Sequence, residues 1–205
     1  MWDRQSDVAV RAALRKPVAS QVGGHLALDF CNTAAEHLAE QPEELLPDWE
    51  SFVRWSVQVG LIEPELYGEL VDSPSPIDEV WELREEIYHV GLTLALGDPV
   101  AEHDLVAIRE EANAPKPLVV GEGGGLHWRP DPQLASMELR AILAGEALSL
   151  FCSRRSARIG MCGGGLCGWL FLDESRGRRR RWCDMKDCGN REKARRYYRQ
   201  QQKSK

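Results

Sequence analysis

The 205-residue sequence predicts a mainly α-helical domain of α+β type with a few short strands, followed by a small treble-clef-like metal-binding module of knuckle, β-hairpin and helix. Three observations carry that expectation. Over residues 21–153, apolar side chains recur at three- and four-residue spacing between helix caps, the pattern of amphipathic helices. Two Cys-x4-Cys pairs, Cys162/Cys167 and Cys183/Cys188, stand among only six cysteines, and four thiols in two close pairs ask for one tetrahedral metal ion. Charge is also divided sharply. Arg154 to Lys205 holds sixteen Lys and Arg against five Asp and Glu, while the first 153 residues hold ten against twenty-seven. An acidic body with a strongly basic tail points to a polyanion-binding module attached to something else.

The length suits one ordinary domain and a small appendage: an arm over residues 1–20, a domain over 21–153 and the cysteine module over 158–205. No apolar run approaches the roughly 20 residues of a membrane span. The first residues carry scattered charges and no apolar stretch, so no secretory signal is expected. In the reducing cytoplasm this implies, metal ligation is favoured over disulfides.

Residues 1–20 show little pattern and read as a weakly ordered arm or a short helix. In Val22–Thr33, His25, Ala27 and Asp29 alternate with Leu26, Leu28 and Phe30, the period of a half-buried strand. Asn32-Thr33 then starts a turn or caps a helix running to about Glu40. Asp48 is an N-cap, Trp49, Phe52, Val53, Ser56 and Val59 form one helical face, and Gly60 suits its stop. A short helix follows at Pro64–Val71. Ser75-Pro-Ile-Asp78 supplies a Ser cap and a proline at the first helical position; Val80, Leu83, Ile87, Val90 and Leu94 then keep 3–4 spacing to Gly97. Asp98-Pro99 repeats the device for a helix lined by Leu105, Ile108 and Ala112. Leu118–Val120 and Leu126–Trp128 read as a hairpin about a glycine-rich tip. That tip lacks the Gly-Lys-Ser/Thr and the following helix of a phosphate cradle. From Leu134 to about Cys152 the sequence is apolar nearly all round, as suits a helix in the middle of a domain.

Between Cys167 and Cys183 there is room for a strand (Trp169–Leu172), a turn (Asp173–Gly177) and a strand back (Arg179–Trp182). Glycines at 163, 164, 165 and 168 let the first knuckle bend around a metal at about 2.3 Å per thiolate. Asn190 is placed to cap the helix after Cys188. With all four positions filled by protein, the one ion expected is structural, and two symmetric pairs fit zinc better than an iron–sulfur cluster. Cys31 and Cys152 sit within apolar patterns and read as buried small hydrophobes.

Arg176, Arg178, Arg179, Arg180 and Arg181 cluster on the expected hairpin. Arg191, Lys193, Arg195, Arg196 and Arg199 follow on the helix, with Arg191, Arg195 and Arg199 on one stripe. That density is the electrostatic footprint of phosphate binding. Helix side chains would enter a major groove while the hairpin arginines hold the backbone. Tyr197 and Tyr198 are placed either to stack on bases or to pack on the body. The competing reading of the arginines is a solvated surface, or one neutralised by the acidic body.

Cys-x4-Cys, then Trp-Leu-Phe-Leu-Asp-Glu-Ser-Arg and Arg-Arg-Trp-Cys-Asp-Met-x2-Cys-Gly-Asn-Arg-x-Lys, resembles the CGNR zinc-finger family. Gly23-Gly-x-Leu-x-Leu-Asp-Phe-x-Asn-Thr33 resembles the ABATE-type domain that accompanies this finger in bacterial proteins. Together the two cover about residues 22–200. The resemblance implies a stress-induced transcription regulator in which the finger reads DNA and the larger domain is a sensor.

The function expected is therefore that of a bacterial, cytoplasmic, zinc-containing DNA-binding regulator rather than an enzyme. Its expected partners are duplex DNA, a small-molecule effector and a second copy of the chain, without a membrane. Asp29, Asn32 and Thr33 are the candidate ligand residues of the sensor. The alternatives are an RNA- or ribosome-associated zinc protein, and an enzyme that uses those three residues with a histidine. The five histidines (25, 37, 89, 103, 127) show no catalytic or metal spacing.

Overall fold

The computed structural model describes residues 14–121 and 123–203. Of the arm expected over residues 1–20, the part before Leu14 lies outside them. Gln58 ties down the stretch from Leu14 to Val18: its side chain accepts from the Val18 N–H at 2.8 Å and donates to the carbonyls of Leu14 and Lys16 at 3.2 and 2.8 Å.

The strand expected at His25–Phe30 is instead a helix, α1 (Leu26–Cys31). The His25 ring accepts the Ala27 N–H as its cap, and Ala27, Leu28, Phe30 and Cys31 are buried. Those spacings of one, three and four residues are a helical face, and Ala27 is the residue that the alternation assigned to the wrong side. The helix expected to run to Glu40 gives way to a two-residue ladder, Ala34–Ala35 (β1) antiparallel to Glu43–Glu44 (β2).

Helix α2 (Trp49–Gln58) forms as read, its Asp48 carboxylate accepting the Ser51 N–H at 2.8 Å. A 3-10 turn (Pro64–Leu66) and α3 (Tyr67–Val71) come next. α4 (Asp78–Leu96) buries Val80, Leu83, Ile87 and Val90 and stops at Gly97 in the left-handed conformation, φ 79°. Its first turn comes later than Ser75-Pro76 indicates, and no side chain caps it. Asp98-Pro99 misplaces the next start in the same way. A 3-10 turn (Glu102–Leu105), with the Asp104 carboxylate accepting the Ala101 N–H, leads into α5 (Val106–Ala112).

The hairpin of β3 (Leu118–Val120) and β4 (Leu126–Trp128) pairs as read. α6 (Ala135–Phe151) then runs through the centre, with α1, α4 and α5 packed against it. Leu139, Ile142, Leu143, Ala147 and Leu150 form one buried face, each large one worth about 1.5–3 kcal/mol, and Ala141 and Ala144 are buried on its other sides. Phe30, Phe52 and Trp55 fill the core beside α2, their ring centroids 5.6–6.4 Å apart. Cys31 lies in this core, but Cys152 does not. It is the C-cap residue of α6 and is exposed.

β5 (Ile159–Met161) pairs antiparallel with β6 (Leu170–Leu172). The hairpin therefore exists with a different partner from the one expected, since Arg179–Trp182 is not a strand. β6 is apolar and fully buried. Ile159 and Met161 can share that environment, whereas a run of arginines cannot. Ile159, Leu170 and Leu172 belong to the same core as the helices. Gly91 of α4 makes the approach possible, because a Cβ there would come within 2.7 Å of Leu170 Cδ1. Among the described residues no helix is long and apolar enough to cross a membrane.

Candidate metal centre

The first cysteine pair sits at the turn of the β5–β6 hairpin. The Cys162 N–H donates to the Trp169 carbonyl at 2.8 Å, and the Gly163 N–H to the Arg181 carbonyl at 2.9 Å. At Gly164 a Cβ would stand 3.0 Å from Cys188 Sγ and 3.2 Å from Cys162 Sγ, so glycine leaves the thiols their space. Gly168, at φ 65°, turns the chain into β6.

The segment between the pairs is a compact loop. The Asp173 carboxylate accepts the N–H groups of Ser175 and Arg180 at 3.0 and 2.9 Å. Arg180 is a hub: its guanidinium lies 4.4 Å over the Phe171 ring and donates to the carbonyls of Leu172, Trp182, Val22 and Cys183. Asp184 accepts the Lys186 N–H at 2.8 Å and opens a π-helical turn, Met185–Gly189. That turn carries Cys188 and continues into α7 (Asn190–Lys203). Asp184 rather than Asn190 is therefore the cap. Asn190 lies past the first turn, where backbone N–H groups already have partners, and its amide donates back to the Lys186 carbonyl at 2.9 Å.

All four cysteines are at most 5% exposed, and their sulfur atoms lie within 4.8 Å of one another. Cys167–Cys183 and Cys183–Cys188 are separated by 3.7 and 3.6 Å; sulfurs at about 2.3 Å from a tetrahedral zinc would be ~3.8 Å apart. Without a cation the thiols must share protons. Hydrogen bonds from Cys167 and Cys183 pull the Cys162 thiol well below the usual thiol range, and the Cys162 thiolate pushes the thiols of Cys167 and Cys183 up. Four thiolates at once need a compensating divalent ion, so the donor set fits zinc. Arg191 supplies further positive charge, its Nη2 3.1 Å from Cys188 Sγ.

The candidate ligand residues of the N-terminal domain are engaged in holding this hairpin and its surroundings. Asn32, fully buried, accepts the Leu170 N–H at 2.9 Å and donates to the Leu170 carbonyl at 2.9 Å. The Thr33 hydroxyl donates to the Phe30 carbonyl at 2.7 Å and accepts from Arg84. Asp29 accepts the Gly23 N–H at 2.8 Å, and the Gly23 carbonyl in turn accepts the Leu172 N–H at 2.8 Å. Three contacts that the sequence does not announce complete the seam: Trp169 Nε1 to the Ala34 carbonyl, Tyr88 Oη to the Gly168 carbonyl, and the His37 N–H to the Cys167 carbonyl. His37 also stacks on Tyr88, with centroids 3.5 Å apart. No sequence motif marks these partners, which lie some 80 to 135 residues apart.

Burial pushes the Asp29 carboxyl up from 3.8 to about 6, outweighing the hydrogen bond from Gly23. A carboxyl whose folded pKa exceeds its unfolded one penalises the charged form. Stability should therefore fall as pH rises from about 4 to about 6 and level off above. Asp29→Asn keeps the acceptor and removes the charge. It should flatten that segment and raise stability at pH 7.5 by ~1–2 kcal/mol, the linkage value discounted for partial exposure. Urea melts from pH 4 to 8 check this; an unchanged pH profile in the variant would assign the dependence to other groups.

The arginines divide into two sets. Arg180 is spent on carbonyls, as described. Arg191 meets Cys188, Asp187 (3.2 Å) and Glu36 (3.8 Å), and Arg199 pairs with Glu192 at 2.6 Å. Arg176, Arg178, Arg179, Arg181, Lys193, Arg195 and Arg196 are exposed. Tyr197 and Tyr198, at 58% and 66% exposure, do not pack on the body.

Two family models match the chain. Residues 158–201 match the CGNR zinc finger, and residues 24–154 match ABATE, described as "Putative stress-induced transcription regulator". Among curated proteins none matches. The finger match and the converging thiols identify one structural zinc site, held by Cys162, Cys167, Cys183 and Cys188 with no position left open.

Proposed function

Because the chain belongs to the ABATE family and ends in a CGNR zinc finger, we propose that it is a DNA-binding transcription regulator and not an enzyme. In this reading the zinc module binds duplex DNA and the helical domain senses an effector. The observation that carries it is the exposed basic surface of the module, which the acidic body leaves largely unneutralised. Among the described ion pairs, the one joining a base of residues 158–203 to an acid of the body is Arg191–Glu36, at 3.8 Å. The body's negative charge then serves to direct a polyanion to the finger alone. A cavity of about 630 Å³ between β3–β4 and the 63–66 turn, lined by Leu66, Val119, His127 and Trp128, supports the sensing half of the reading.

The two exposed tyrosines favour one alternative, an RNA partner whose unpaired bases would stack on them. Direct competition separates the two. A labelled random-sequence DNA duplex bound by the zinc-loaded full chain should resist displacement by an equal mass of structured RNA. Displacement by RNA at tenfold lower concentration than by unlabelled duplex would replace the DNA reading with the RNA one.

A further inference from the structure

Resting on that DNA-binding reading, we propose that one face of α7 reads nucleic acid, the strip Lys193, Arg196 and Tyr197, and that the more conspicuous Arg191–Arg195–Arg199 stripe is structural. At 3.6 residues per turn, positions 193, 196 and 197 share one side of the helix, and 191, 195 and 199 share another. The second side faces the module itself, although its three guanidinium groups keep solvent exposure. Arg191 donates to Cys188 Sγ at 3.1 Å and pairs with Asp187 and Glu36. Arg195 lies so close over Gly165 of the knuckle that a Cβ there would collide with its guanidinium. Arg199 is neutralised by Glu192 at 2.6 Å.

The contacts of Arg191 with Glu36 and of Arg195 with Gly165 set the orientation of the helix, while the Arg199–Glu192 pair lies within it and only neutralises its far end. The Arg191–Arg195 side faces the cysteine site, which turns Lys193 and Arg196 outward, and no acidic partner meets either among the described contacts. Tyr197 stands beside them at 58% exposure, its hydroxyl accepting from Gln201 at 2.6 Å. Of the two exposed tyrosines only Tyr197 lies on this strip, since Tyr198 falls on the Arg191–Arg195 side. The strip has what a polynucleotide requires: two unpaired cations for phosphate or base edges, and an aromatic face for sugar or base. Arg191 and Arg195, beside the zinc site, then hold the helix at a fixed rotation so that the other face is presented.

Fluorescence anisotropy on a labelled random-sequence duplex, with the full zinc-loaded chain at several salt concentrations, tests the division. Lys193→Ala and Arg196→Ala should each weaken binding roughly tenfold at low salt and reduce the log–log salt slope by about one. Tyr197→Ala should weaken binding and leave the slope unchanged. Arg199→Ala should alter neither affinity nor slope by more than about twofold. Zinc content and far-UV circular dichroism of each variant show that the fold persists. Loss of slope in Arg199→Ala with Lys193→Ala and Arg196→Ala unaffected would overturn the proposed face. Failure of the wild-type chain to bind duplex at all would instead overturn the regulator reading on which it rests.

Discussion

Cys188→Ser is expected to strip the zinc from the chain and to melt residues 173–203 while the helical body stays folded. Structural zinc contributes about 10–16 kcal/mol in isolated finger peptides, so the apparent loss should be several kcal/mol even if serine leaves a weak three-thiolate site. The loss stays local because two different sources of stability meet at the hairpin. Ile159, Leu170 and Leu172 are held by the helical core, whereas Phe171 and the four cysteines form a separate small cluster with Val22, Trp169 and Trp182 against it. That second cluster cannot hold the 173–189 loop without the ion. Metal analysis of freshly purified, reduced protein should find one zinc per wild-type chain and well under half in the variant. Hydrogen exchange should show lost protection in α7 with α4 and α6 retained. A variant that keeps full zinc and full protection would contradict the assignment of Cys188.

Asn32→Ala should cost about 2–6 kcal/mol, because it leaves both the N–H and the carbonyl of Leu170 buried without a partner, at about 1–3 kcal/mol each. Asn32 is 0% exposed and Leu170 likewise, so water cannot replace the lost amide. The melting temperature should fall by several degrees, and the finger's zinc should become easier for a chelator to remove, since β6 runs directly from the Cys167 knuckle. If Asn32 were instead a ligand residue, alanine would leave the unfolding free energy within about 1 kcal/mol of wild type, and equilibrium urea melts distinguish the two outcomes.

That residue also marks where the sequence is and is not readable. The long helices are legible because each needs only its own periodicity. The 3–4 spacing of Val80, Leu83, Ile87 and Val90 and the all-round apolarity of Leu134–Cys152 report burial directly. The four zinc ligands are legible for a different reason, since thiol pairs in a chain with few cysteines have one common use. The short segment at Leu26–Cys31 misleads because six residues allow both periods, and the His25 cap that settles the matter is a type seldom seen at helix starts. The roles of Asn32 and Arg180 stay hidden because their partners are distant or are backbone carbonyls, which carry no sequence signal. Within the run Arg178 to Arg181, Arg180 differs from its neighbours by location alone: the loop folds it over Phe171 and leaves Arg179 and Arg181 in solvent.

The phosphate-binding role proposed for the outward charge of the zinc module is tested most directly by the salt dependence of duplex affinity in the zinc-loaded full chain. With about six phosphate contacts, the association constant should fall roughly 10³-fold between 50 and 200 mM salt, linearly in log–log form. An affinity that is the same at both concentrations would contradict the phosphate-binding role, because the exposed arginines would then have no phosphate to neutralise.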